Sequence, residues 1–399
     1  MKRRKNRTIR VFLLILIIGY LLITIPSYIN DKKKQTEDNK ETTTTNKIKE
    51  VKKVNVTLFG DILIEGPFYR SMNKYDEGDI YFQKVNEKYF TKDDLSIGNM
   101  EVPISSTDKF LGDAYQFVSP PSIGKLIGKQ SIEVLGTANN HSFDQGIEGI
   151  NSTIDFFKDN TNILTVGTNK TKEDRNEIKV IEKNGIKIGF AAYTLFTNIK
   201  PNQEDLWRIN YFREPYTKTY IEYKENMKKE LTNLVDNTDV QIVLMHWGNE
   251  FTYNLSEDQK DMAKFLSDLG IDIVVGSHSH NMQSIEYVGD TLVFYSMGNF
   301  ASADADLDRT ANDETFDNNY QIGLLANLDI KLENNKVTLD NIKTEPIINY
   351  FDSNEEHYEL IPLEEYTKKY ETTHYRYNLG LTRDFITETY NKVIDSRYR

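Results

Sequence analysis

Short apolar runs rich in Val, Ile and Leu recur along this chain, separated by stretches whose apolar residues fall three and four apart. Val54 to Phe59 alternates polar and apolar residues with a period of two, which predicts a strand. Leu95 to Gly98, Ser131 to Leu135, Ile186 to Tyr193, Val240 to Met245, Ile271 to Val275 and Thr291 to Tyr295 carry further strand signals. Between them, Pro121 to Lys129, Gly146 to Lys158, Tyr216 to Val235 and Ser256 to Leu269 have helical spacing. Ser256 with Gln259 three residues on matches a capping box. Strands alternating with helices of this length predict an α/β fold with largely parallel pairing. Thr197 to Pro215 lacks a clear period and reads as a loop excursion. Beyond Tyr320 the pattern changes. Gln321 to Ile330 and Lys336 to Ile348 alternate as antiparallel strands, and Thr382 to Ile394 is helical.

The N-terminus carries a different signal. Six basic residues fall within Met1 to Arg10, and Val11 to Ile29 then runs without a charge for long enough to span a bilayer as a helix. No small-residue cleavage pattern follows, so a retained signal-anchor is expected. Basic residues are denser before the segment than after it, which places the N-terminus in the cytoplasm and the main domain outside the cell membrane. Asp31 to Lys53 is polar, with four successive threonines at 42–45, and reads as a disordered tether. The expected organisation is a basic tail (1–10), a single transmembrane helix (11–29), a linker (30–53), a main domain (54–348) and a C-terminal helical extension (349–399).

Composition narrows the chemistry. The chain has 399 residues, and hydrophobic residues make up 38%, enough for a substantial core. Its net charge of -12 argues against a general nucleic-acid binder, because a phosphate backbone needs a basic face. There are no cysteines, which removes disulfides, thiolate metal sites and cysteine nucleophiles. Any metal must be held by oxygen and imidazole.

Four of the six histidines lie in three short segments: Asn139-Asn140-His141, His246-Trp247-Gly248 and His278-Ser279-His280. Each follows an apolar run, as do Gly60-Asp61 and Gly98-Asn99-Met100-Glu101. In open α/β sheets, ligands bind where strands release the chain at their carboxyl ends. Taken alone, Gly60-Asp61 reads as the start of a turn, and an Asn-His pair usually sits in one too. His278 and His280 are the strongest pair: in an extended segment, residues two apart point to one side. Together, Asp61, Glu101, Asn140, His246, His278 and His280 form a mixed nitrogen and oxygen set for one or two divalent cations. Manganese, iron or zinc suit it better than calcium or magnesium. Two such ions clamp phosphate oxygens and activate water, so phosphoester hydrolysis is the natural reaction.

Taken in order, these motifs resemble the CapA family: Gly60-Asp61, Gly98-Asn99-Met100-Glu101, Ala138 to Gly146, His246 to Glu250, Gly276 to His280, and Tyr295 to Phe300. That family comprises poly-gamma-glutamate capsule-biosynthesis proteins related to the calcineurin-like metallophosphoesterases. The resemblance covers roughly Val54 to Phe300. It implies a metallophosphoesterase-like αββα sandwich with metal-binding loops at strand ends. It also implies that Asn140, His246 and His278 hold one metal, that Glu101 bridges, and that Asp61 and His280 face a second. The resemblance further implies that His141 takes the catalytic position with Asp144 as its orienting partner, and that Asn99, Glu250 and Asn299 line the site. One departure stands out: the wider superfamily has a histidine two residues after the first aspartate, and here that residue is Leu63.

Three functions are then open. The first is a membrane-anchored protein of poly-gamma-glutamate synthesis or export, working beside membrane subunits, since no Gly-rich Lys-Ser/Thr phosphate loop is present for ATP. The second is a surface phosphoesterase, and the third a non-catalytic subunit that binds the anionic polymer through cations.

Overall fold

The computed structural model describes residues 18–20, 51–75, 78–113, 116–213, 221–302, 314–354 and 356–399. Residues 1–50 form a unit of their own, in which the described residues, 18–20, are helical. Most of the expected transmembrane segment and tether lies outside the described residues, among which no helix is long and apolar enough to cross a membrane.

Among its described residues, the second unit, 51–399, holds sixteen strands. They are β1 (Lys52–Ile62), β2 (Leu95–Met100), β3 (Leu111–Asp113), β4 (Gln116–Val118), β5 (Val134–Gly136), β6 (Leu164–Val166), β7 (Lys179–Lys183) and β8 (Ile186–Thr194). The others are β9 (Val240–His246), β10 (Ile273–Ser277), β11 (Ile285–Val288), β12 (Thr291–Phe294), β13 (Asn299–Ala301), β14 (Ile322–Glu333), β15 (Lys336–Phe351) and β16 (Tyr358–Pro362). One sheet runs β16-β15-β14-β1-β2-β5-β6, with β13 also pairing β1; the other runs β11-β12-β10-β9-β8-β7; β3 and β4 form a separate hairpin. In the first sheet β1, β2, β5 and β6 are parallel, and β14 to β16 extend it antiparallel. In the second, β8, β9, β10 and β12 are parallel between antiparallel edges.

Why the central strands are apolar throughout follows from the layers. Val54, Val56 and Leu58 of β1 share one core with Ile188, Ile242 and Ile273 of the other sheet, so the sheets pack face to face. Phe59 of β1 points the other way, toward Phe68, Ile123 and Phe157 of helices Gly66–Tyr75, Pro121–Gly128 and Gly146–Asn160. Val243, Met245 and Val274 do the same on the second sheet, against Met227, Leu231 and Leu266 of helices Ile221–Asn237 and Glu257–Asp268. Alternate residues of each central strand therefore enter different apolar layers, and neither face can be polar. The order is helix, sheet, sheet, helix.

Most expected elements form within a few residues of their expected bounds. Ser256 caps the Glu257–Asp268 helix in a reciprocal box with Gln259. The Thr197 to Pro215 loop contains a 3-10 turn, Gln203–Arg208. The C-terminal part departs from expectation. The boundary placed at 348 falls inside β15, and β16 adds a further strand, so 349–399 is not simply a helical extension. Helix Arg383–Val393 packs Ile386 and Tyr390 onto the core between the sheets.

Candidate metal centre

The parallel strands of both sheets deliver their carboxyl ends to one place. Asp61 lies at the end of β1, in register with Asn99 of β2 and Asn299 of β13. Glu101 directly follows β2, and Asn140 follows β5 by a short turn. From the other sheet come His246, ending β9 in register with Ser277 of β10, and then His278 and His280. The ligand-bearing edge is thus a seam between two sheets, rather than the rim of a single one.

Two glycines permit this approach. A Cβ on Gly60 would sit 1.8 Å from the Gly298 carbonyl oxygen, and one on Gly276 would sit 2.0 Å from that of Tyr295. No side chain fits at either position. The expected alternation of His278 and His280 in an extended segment does not occur. Their φ angles are 92° and 55°, so a left-handed turn aims the two rings. Phe251 beside them has φ 55°. Such conformations cost on the order of 1–3 kcal/mol each and persist where packing over-determines them.

Asp61, Glu101 and His280 each place a ligand atom within 4.8 Å of the others, and all three are buried. The Asn140 Oδ1 and His246 Nε2 atoms lie 2.9 Å apart, and His246 Nε2 is 3.7 Å from Glu101 Oε1. The His246 and His278 rings are 4.7 Å apart between centroids. Asn99 donates to Asp61 Oδ1 at 2.7 Å, and the His278 backbone N–H donates to Oδ2 at 3.2 Å. All six expected ligand residues therefore converge. Asn299 is brought in too: its Oδ1 lies 2.9 Å from His280 Nδ1. Glu250 is solvent-exposed, and it reaches Glu101 and His278 through its charge alone.

Burial and crowding set the electrostatics of these side chains. Burial pushes Asp61 up to about 6, against the lowering pull of the Asn99 and His278 donors. Burial and then the neighbouring Asp61 charge hold Glu101 well above the usual carboxylate range. Burial depresses His246 strongly and brings His278 down to about 4, so both imidazoles are neutral near pH 7. Both oxygens of Glu101 and Nδ1 of His278 are buried without a hydrogen-bond partner. Two crowded carboxylates, neutral imidazoles and an unpartnered Nδ1 on His278 suit a divalent cation. The residues fit the group.

Beside this centre, His141 Nδ1–H donates to Asp144 Oδ2 at 2.7 Å, both groups buried. The Phe117 backbone N–H of β4 donates to the same oxygen at 2.7 Å, and the Phe117 ring meets the imidazole edge-on at 4.7 Å. The hairpin thus fixes the carboxylate, and the carboxylate fixes which ring nitrogen carries the proton. Leu63 points into the apolar layer with Ile62 and Ile64, so nothing at that position approaches the centre.

Several residues escaped the sequence reading. Ser277 Oγ lies 2.9 Å from His246 Nδ1 and orients that ring. Phe196 meets His278 edge-on at 5.6 Å. Tyr320 packs its ring on His280 at 5.2 Å. Ser277 sits inside a motif already noted, and its neighbours outshone it. The aromatics sit on loops without a period to flag them.

The family model described as bacterial capsule synthesis protein PGA_cap matches residues 55–304. The PGA biosynthesis protein CapA of Bacillus subtilis (strain 168) is 27% identical over 262 residues, covering 62% of this chain and 63% of that protein. The capsule biosynthesis protein CapA of Bacillus anthracis is 28% identical over 263 residues, covering 64% and 61%. The chain thus spans less than two thirds of either relative. A solved phosphatase structure from Mycoplasma pneumoniae aligns with a TM-score of 0.46 and 12% identity, over 83% of this chain and 100% of that one, a likeness too loose to transfer anything. With a match covering more than half its length, the chain belongs to the bacterial capsule synthesis protein family PGA_cap.

Proposed function

We propose that this chain is a membrane-anchored capsule-biosynthesis protein serving poly-gamma-glutamate synthesis or export at the cell surface through a divalent-cation centre in a metallophosphoesterase-like sandwich. One observation carries the reading: the family span, 55–304, encloses every residue from Asp61 to Asn299 that meets at the centre. Val11 to Ile29 would anchor the chain, with its N-terminus in the cytoplasm and the main domain outside. Membrane subunits of the polymer pathway would be its partners.

Asn140, His246 and His278 would hold one cation, Glu101 would lie between, and Asp61 with His280 would hold a second; manganese, iron or zinc suits this set. Such a cation supplies positive charge for carboxylate or phosphate oxygens of an anionic substrate. The acidic side chains around the centre, Asp61, Glu101, Asp144 and Glu250, offer such a substrate no positive charge of their own. With Leu63 in place of a histidine, Asp61, Glu101 and His280 would be the three protein ligands available to the second cation.

The buried His141–Asp144 pair favours a second reading, a surface phosphoesterase, because simple cation binding has no use for an oriented imidazole. Asp144 holds Nδ1–H, which leaves the His141 Nε2 lone pair to take a proton from the attacking water and pass it to the leaving oxygen. A water oxygen bonds to phosphorus, the ester P–O bond breaks, and that proton ends on the released alcohol.

The test is genetic and chemical. Deletion of the gene removes surface polyglutamate, wild type restores it, and His278→Ala does not. Full restoration by His278→Ala would refute a role for the centre in capsule formation.

A further inference from the structure

Glu65 is 1% exposed and lies outside the ligand set, yet it is a carboxylate taken out of water. Its Oε1 accepts from the Tyr320 hydroxyl at 2.8 Å, and its Oε2 from the Ser302 hydroxyl at 2.8 Å. Burying a carboxylate carries a desolvation cost that an amide would largely avoid. Its charge reaches Glu101.

Tyr320 is what Glu65 holds. The Tyr320 ring lies 5.2 Å from the His280 ring, and its backbone carbonyl accepts from Asn299 Nδ2 at 3.1 Å. The same Asn299 engages His280 Nδ1 through its Oδ1, at 2.9 Å. Tyr320 therefore meets His280 by ring contact and holds the Asn299 that engages Nδ1. It does so from residue 320, beyond the family-matched span.

We propose that Glu65 and Tyr320 are a positioning pair that sets the His280 imidazole for cation binding. The inference rests on the reading that this centre holds a divalent cation. A histidine in a left-handed turn has little local restraint of its own, so its aim depends on what packs against it. Residues that orient a ligand imidazole are typically worth about 10–100-fold in metal affinity.

The experiment titrates Co²⁺ into the full-length chain and follows its visible absorption, alongside urea unfolding of the metal-free protein. Tyr320→Phe keeps the ring and removes only the hydroxyl; Glu65→Gln keeps the shape and removes the charge. Each variant is expected to weaken cobalt binding about tenfold and to change the cobalt spectrum. Wild-type affinity and spectrum in both variants would overturn the proposal, whatever happens to the urea midpoint. Absence of cobalt binding in the wild type would overturn the cation centre itself, and this inference with it.

Discussion

At the residue scale, each side chain has a role its surroundings impose. Asp144 makes His141 a directed proton carrier, so His141→Ala should lower hydrolysis of bis(p-nitrophenyl) phosphate in Mn²⁺ by about 10²–10⁴-fold. Metal content measured by plasma mass spectrometry should stay unchanged. Glu101 works against stability when no cation is bound, because its folded pKa is raised. The stabilisation such a group gives is complete below its unfolded value and is lost as pH rises. Metal-free Glu101→Gln should therefore have a higher urea midpoint than wild type at pH 8. Added Mn²⁺ should stabilise wild type and leave the variant unmoved. The convergence of Asp61, Glu101, Asn140, His246, His278 and His280 was legible in the sequence because strand-end polar residues stand out against apolar runs. Tyr320 and Glu65 were not, because their significance lies in contacts across 255 residues of chain.

At the element scale, the site depends on how closely strands approach. A methyl on Gly60 would meet the Gly298 carbonyl oxygen at 1.8 Å and push β13 away from β1. Gly60→Ala should cost about 1–3 kcal/mol, read as a lower urea midpoint. It should weaken Mn²⁺ binding as well, because Asp61 is the next residue. Strands with both faces buried, such as β8 and β9, announce themselves by long apolar runs. The three-residue strands β3, β4, β6 and β13 are too short for a period to show. Helix Gly66–Tyr75 was missed because Gly66 and Pro67 open it where a turn is expected. The left-handed turn at His278 was invisible for another reason: neighbouring packing, rather than local propensity, holds it.

At the scale of the whole molecule, the C-terminal hundred residues complete the sandwich. The clearest sign is His374, 2% exposed, whose Nε2–H donates to the Asn349 carbonyl at 3.1 Å while Nδ1 accepts from the Arg376 backbone N–H at 3.0 Å. Both bonds need the neutral ring, and burial lowers its pKa to about 3. A depressed folded pKa gives stability that is complete above the unfolded value, near 6.5, and drains away as pH falls toward 3. Wild type should lose stability between pH 6.5 and 4 by more than His374→Gln does; parallel slopes of urea midpoint against pH would contradict this. The domain limit at 348 was misplaced because β15 turns from half-exposed to fully buried along its own length, and its apolar end was not counted.

The central claim is that one cation pocket gathers side chains from both sheets. A crystal grown or soaked in Mn²⁺, with anomalous data collected, tests it most directly. The account predicts an anomalous peak in bonding contact with Glu101 and with His246 or His280. A structure in which Mn²⁺ binds elsewhere, or leaves Glu101 untouched at saturating concentration, would contradict it.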